Sequence, residues 1–318
     1  MSSPQPYFVP ESSKLPFAMA LTMLVLIIGA STTVKPELGP FGDNSYLVLL
    51  TGFLMMWTTM FFWFSQVIKE NNEGLNNNML NNSYYYGMAW FIFSEVMFFF
   101  AFFLALGYIR MFAVPWLGGE GEKGIANMLW PGFEAHWPLM ITPDQAVFPG
   151  PAEEMSLGTA YSHGGLAGVL GWIPLYNTML LLTSSVTVHI AHIGLKNGNR
   201  KQFNLWLAIT LVLGYAFVAL QAFEYYEAYT HMGLTLKTGV YGTTFFMLTG
   251  FHGFHVCLGA IILTVMLIRG LKGHFSHDDQ FGFEAGSWYW HFVDVVWICL
   301  GAFVYVMLLR SRTNLTCD

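Results

Sequence analysis

Charge is what this sequence has least of. Lys, Arg, Asp and Glu make up 10% of its 318 residues, against about 25% in ordinary globular domains. So few charges cannot cover a water-facing surface, which excludes a soluble enzyme and a disordered chain. Cysteine is scarce as well. Cys257, Cys299 and Cys317 are the only three, without a CxxC or a paired spacing, which excludes a disulfide scaffold. The 13 basic residues are outnumbered by 19 acidic ones and lie scattered, so nucleic acid is not an expected partner. The start of the chain is polar and dotted with proline around a single Lys14, unlike a cleavable signal peptide.

What the sequence has in plenty is apolar length. Hydrophobic residues are 55% of the chain and aromatics 17%, and a bilayer-crossing helix needs about 20 apolar residues. Seven stretches qualify: Leu15–Val34, Tyr46–Ile68, Tyr84–Ile109, Leu166–Leu195, Phe203–Phe223, Thr238–Ile268 and Ala285–Leu309. Membrane β-strands would alternate over about 10 residues, so the runs predict an all-α integral membrane protein. Residues 1–68 read as an N-terminal tail with two helices, and 69–83 as an asparagine-rich connector. Residues 84–318 then form a five-helix bundle interrupted by an extramembrane loop at 113–165.

Seven crossings put the termini on opposite sides. With the N-terminus cytoplasmic, inner segments hold seven basic residues and outer ones six, which decides little by charge bias alone. The cluster Lys196–Arg200–Lys201 and the acidic 113–165 loop, with six carboxylates and one lysine, favour that orientation. Trp116, Trp130, Trp137 and Phe148 place this loop on the membrane surface or against another protein.

An ionisable side chain inside a span is a functional hypothesis by default. Glu95 is the clearest case, twelfth of 26 residues in its run and set among phenylalanines. Such a carboxyl can relay protons or donate one buried hydrogen bond to a neighbouring helix. Histidines are the next candidates. His189 with His192, and His252 with His255, are spaced i, i+3, and His291 lies in the last span. Haem ligation would need two of them at equal depth on facing helices. The first pair instead ends its helix, while His252 sits near the middle of its own. Copper or zinc would need three or four converging ligands, and no thiolate adjoins these histidines, so no metal site is expected. His291 and Asp294 share one helix face, a spacing that predicts a buried His–Asp bond. Glu224, with Gln221 and Tyr225, sits at the membrane exit of its span. Asn177, Thr178, Ser184 and Ser185, with Gly250, Gly253 and Gly259, read as contacts between helices.

The last third carries a family likeness. Gly239-Val-Tyr-Gly-Thr-Thr-Phe-Phe-Met-Leu-Thr-Gly-Phe-His-Gly-Phe-His-Val256 is followed by Phe281-Gly-Phe-Glu-Ala285 and Trp288-Tyr-Trp-His-Phe-Val-Asp-Val-Val-Trp297. Together these strings closely resemble subunit III of the haem–copper cytochrome c oxidases. Ser94-Glu-Val-Met-Phe-Phe-Phe100, Pro174-Leu-Tyr-Asn-Thr178 and Ser184-Ser-Val-Thr-Val188 resemble its third and fourth helices. The resemblance implies two helices set apart from five by a V-shaped, lipid-filled cleft. It implies a metal-free accessory chain that packs on subunit I, supports proton uptake and protects the oxygen-reducing site. Haem a and copper would lie in partner subunits I and II, and cytochrome c would be met through the complex. Glu95 matches the family's span-three carboxylate, while Trp63, His255, Arg269 and His274 match its lipid contacts.

Departures from the family accompany the likeness. Where it usually reads Trp-Arg-Asp-Val, this chain has Trp63-Phe-Ser-Gln-Val-Ile-Lys-Glu70, so Lys69 is expected to replace an arginine at lipid as a point charge. His277-Asp-Asp-Gln280 stands where a basic residue is common. The enlarged 113–165 loop points to docking of an additional subunit or a respiratory complex. That loop and the asparagine connector point to a bacterial plasma membrane, with a periplasmic C-terminus, over a mitochondrial inner membrane. A subunit III of a quinol oxidase or nitric-oxide reductase, and a stand-alone haem protein or transporter, are the alternative readings.

Overall fold

The computed structural model describes residues 12–38, 40, 42–75, 78–121, 124–275 and 280–306. Cys317, the end of the last expected span after 306, and the 277–279 part of the inner loop lie outside the described residues. Among the described residues every regular element is a helix. Seven of these helices are long and apolar enough to cross a membrane, where a helix is the form that satisfies its own backbone. Contacts divide the chain into two units, 1–86 and 87–318.

The first unit contains α1 (Leu15–Val34), α2 (Ser45–Asn72) and the start of α3 (Asn78–Tyr108). Helices α1 and α2 touch backbone to backbone. A Cβ on Gly29 would fall 2.5 Å from Leu49 N, and one on Gly52 2.8 Å from Leu26 Cα. Small residues at a crossing are how lipid-embedded helices gain packing contacts. The asparagine-rich segment is mostly helical, since α2 runs on to Asn72 and α3 already begins at Asn78. Extending a long helix costs little once it is nucleated, and asparagine's penalty within it is well under 1 kcal/mol.

In the second unit α3 passes into a π-helical turn, Ile109–Ala113, and then α4 (Val114–Leu117). Pro115 has no N–H to give the carbonyl of Met111, and the N–H of Val114 reaches back five residues to Ile109. Then come α5 (Ala126–Leu129) and α6 (Leu157–Leu170), the latter broken by a kink at Gly165. The bundle proper is α7 (Ile173–Lys196), α8 (Arg200–Thr230), α9 (Val240–Leu271) and α10 (Phe281–Leu300). The expected fourth span is therefore shorter. Leu166–Leu170 belong to α6, and Pro174 opens a new helix behind Trp172 in an extended conformation. Conversely the fifth span runs on through Glu224 and Glu227 to Thr230.

These four helices form a ring, with α7 on α8, α8 on α9, α9 on α10 and α10 back on α7. Trp290 fills the middle and is fully buried. A Cβ on Gly214 or Gly259 would come within 2.7 or 2.9 Å of its ring, so glycine alone leaves room for the indole. Gly253, grouped with Gly259 in the sequence reading, has nothing within 4 Å of such an atom. Helix α3 leans on the ring through Phe99–Phe292 and Phe103–Phe303 ring contacts. The described residues of the 113–165 loop pack onto the second unit. Its Phe133, Leu139 and Met155 are buried, Trp137 sits edge-on to Tyr241, and Met155 N donates to the Tyr241 hydroxyl at 3.1 Å.

Candidate functional site

Glu95 on α3 and His255 on α9 meet at 2.9 Å, Oε2 to Nε2. The histidine side chain is 8% exposed and the carboxylate 22%. Aromatic rings enclose the imidazole. Phe99 lies 5.0 Å and Phe254 5.8 Å from it, Tyr289 stacks at 6.3 Å, and Phe292 closes the far side at 6.3 Å.

The other ring nitrogen settles the chemistry. Nδ1 lies 2.6 Å from the carbonyl oxygen of Phe251, and a carbonyl only accepts, so Nδ1 carries a hydrogen. A neutral imidazole then presents a bare Nε2 to Glu95. A 2.9 Å contact between that nitrogen and a carboxylate oxygen needs a hydrogen between them. Either a neutral carboxyl donates its O–H to Nε2, or an imidazolium donates its Nε2–H to the carboxylate. Both arrangements hold one shared proton and leave the pair with no net charge, the state a low-dielectric interior tolerates best. Glu95 and His255 can thus exchange a proton without changing the net charge of the pair.

His252, one turn earlier, is fully buried and does something else. Its Nε2 lies 3.2 Å from the Val293 carbonyl, and the ring packs against Phe217 and Trp297. It fastens α9 to α10. His291 turns its Nδ1 to Ser185 Oγ at 2.9 Å, while Asp294 Oδ2 lies 3.7 Å away. The expected His–Asp pairing is thus met at ion-pair distance, beyond a hydrogen bond, while the ring's hydrogen bond goes to Ser185 on α7. Glu224 is fully buried within the protein, and α8 continues past it to Thr230. Its Oε1 accepts from the Tyr305 hydroxyl at 2.7 Å and its Oε2 faces Asn177 Nδ2 at 3.5 Å. His192 approaches Glu284 at 3.3 Å, and His189 is exposed. Among the described residues no three His, Cys, Asp or Glu side chains converge as metal ligands.

Of the residues expected at lipid, Trp63 and Lys69 belong to the first unit and His255, Arg269 and His274 to the second. Trp63 is 36% exposed on α2, and Lys69 near that helix's end pairs with Glu73 at 3.8 Å. Arg269 lies in the last turn of α9, inside the helix instead of beyond it, buried with its guanidinium 4.7 Å from the Phe275 ring. His274 N donates to the Arg269 carbonyl at 3.0 Å. Fourteen residues of helix separate Arg269 from His255, which is about 21 Å of rise, so one headgroup cannot touch both.

Several partners escaped the sequence reading. Tyr289 stacks on His255, Tyr305 holds Glu224, and Glu284 meets His192. A tyrosine in an aromatic-rich span carries no periodic signal that marks it as a donor to a carboxylate 81 positions away.

The sequence model of the family described as cytochrome c oxidase subunit III matches residues 5–124 and 147–308. The chain belongs to the cytochrome c oxidase subunit III family. It is 43% identical to cytochrome c oxidase subunit 3 of Scyliorhinus canicula and of Carassius auratus. Each match runs over 219 residues, 69% of this chain and 67% of the relative. It is 37% identical to cytochrome c oxidase subunit 3 of Osphranter robustus over 300 residues, 94% of this chain and 96% of that one. As a subunit III it is one chain of an oxidoreductase complex and does not itself carry the catalytic centre. Glu95 and His255 both lie within the matched residues, whereas 125–146 lies outside them.

Proposed function

We propose that this subunit III packs on subunit I as a metal-free accessory chain and supports proton uptake through the Glu95–His255 pair. The supporting observation is the single proton that the 2.9 Å contact requires, held between an acceptor and a donor of opposite character. Haem a and copper belong to partner subunits, with subunit II and cytochrome c completing the route of electrons. Protection of the oxygen-reducing site is part of the same proposal. Phospholipid is assigned to Trp63, Lys69, His255, Arg269 and His274. With roughly 21 Å of helix between His255 and Arg269, the proposal has a headgroup phosphate beside Arg269 and His274 and acyl chain beside His255. The membrane proposed is a bacterial plasma membrane with the N-terminus cytoplasmic, on the strength of the long loop and the asparagine-rich segment.

Purification of the tagged chain from native membranes in mild detergent tests this. Haem a bands should arrive with subunits I and II and disappear when harsher detergent strips the chain away. Haem that stays on the isolated chain would make His189, His192, His252 or His255 ligands and overturn the reading.

A further inference from the structure

Residues 125–146 stand outside the stretches shared with the family, and they are two-sided. One side is anchored. Phe133 and Leu139 are buried, and Trp137 packs on Tyr241. The other side presents Ile125, Met128 and Leu129 at 76, 80 and 73% exposure. From Gly124 to Phe133 there is no charged residue. The first charge, Glu134, pairs with His136 at 3.2 Å, and both side chains are exposed. An apolar patch of this kind on a loop has an occupant.

The surface next to the patch identifies it. Tyr108, Phe112 and Trp116 follow one another at four-residue spacing along the exposed face of α3 and α4, each ring against the next at 5.8 and 5.7 Å. They end a candidate membrane span whose apolar window is only 11% buried within the protein, and tyrosine and tryptophan favour the water boundary of a bilayer. Helix α5 packs against α4, so Ile125, Met128 and Leu129 continue that aromatic belt. We propose that 125–146 is an interfacial foot: Ile125, Met128 and Leu129 sit in the headgroup–acyl boundary of the bilayer around α3, and Glu134 and His136 stay in water. Apolar side chains below and charged ones above is the division that interfacial segments show.

A nitroxide on Met128→Cys, and separately on Leu129→Cys, in the whole oxidase reconstituted in lipid nanodiscs tests the foot. The parent oxidase taken through the same labelling supplies the background spectrum. Collision with dissolved oxygen should exceed collision with a water-soluble nickel chelate at 128 and 129, and the order should reverse at Glu134→Cys. A label at 128 and 129 that meets mainly the nickel chelate would place the segment in water and overturn the proposal. A label immobilised and closed to both reagents would show a protein chain seated there, the occupant expected from the loop's aromatics, and would overturn it equally.

Discussion

The indole nitrogen of Trp290 donates to Ser184 Oγ at 3.0 Å across 106 residues of sequence, at the point where α10 presses on Gly214 of α8 and Gly259 of α9. One side chain therefore fixes the spacing of four helices. Gly259→Val forces the ring aside at a cost of about 1–3 kcal/mol. Trp290→Phe leaves the Ser184 hydroxyl without this donor at roughly 1 kcal/mol, before any cavity is counted. Heating the purified oxidase in mild detergent should release either variant subunit at lower temperature than the parent, with Gly259→Val lower by several degrees. Equal release temperatures would show that the ring is not the keystone of the bundle.

Glu95→Gln should leave the complex assembled and active with at most a moderate kinetic change, because an amide N–H can still donate to Nε2 of His255. Complete loss of oxidase from membranes would contradict this. His255→Leu removes the partner and strands the carboxyl, which costs about 1–3 kcal/mol. The double variant Glu95→Leu with His255→Leu should recover part of that loss. A double-mutant cycle on subunit retention reads the coupling directly, and a coupling energy near zero would deny the pair.

Tyr305→Phe removes the hydroxyl that donates to Glu224. Glu224 is fully buried, so a missing donor costs about 1–3 kcal/mol. The yield of subunit III per haem in purified oxidase should fall for Tyr305→Phe. It should be restored toward the parent in Tyr305→Phe with Glu224→Leu and Asn177→Leu, which removes the carboxyl together with the Asn177 amide that faces it at 3.5 Å.

Lys69→Ala separates stability from lipid binding. Its ion pair with Glu73 is exposed, and such pairs contribute about 0–1 kcal/mol, so subunit retention should be unchanged. Lipid extraction followed by mass spectrometry of the washed complex should show fewer anionic phospholipids per oxidase. Unchanged lipid content would remove Lys69 from the lipid set.

The spans were legible because the bilayer imposes a length that the sequence must meet. Leu15–Val34 is the same in sequence and structure. The boundary read at Leu166 moved to Ile173 because an apolar run cannot show that Pro174 starts a helix instead of continuing one. Glu95 stood out as a charge among phenylalanines, but its bond to His255 spans 160 positions and leaves no local trace. The i, i+3 spacing of His252 and His255 likewise hid two different tasks. About 60° of rotation around α9 sends one ring to the Val293 carbonyl and the other to Glu95.

The proton shared by Glu95 and His255 also has an electrical consequence. Carrying one charge across a whole membrane against 100 mV takes about 2.3 kcal/mol. Passing between Oε2 and Nε2 covers at most 2.9 Å of a hydrocarbon core roughly 30 Å thick, so the voltage does at most about 0.2 kcal/mol of work on that step. Membrane potential therefore hardly biases the proton between the two atoms. A respiring cell and a de-energised one would find it divided between them in nearly the same proportion.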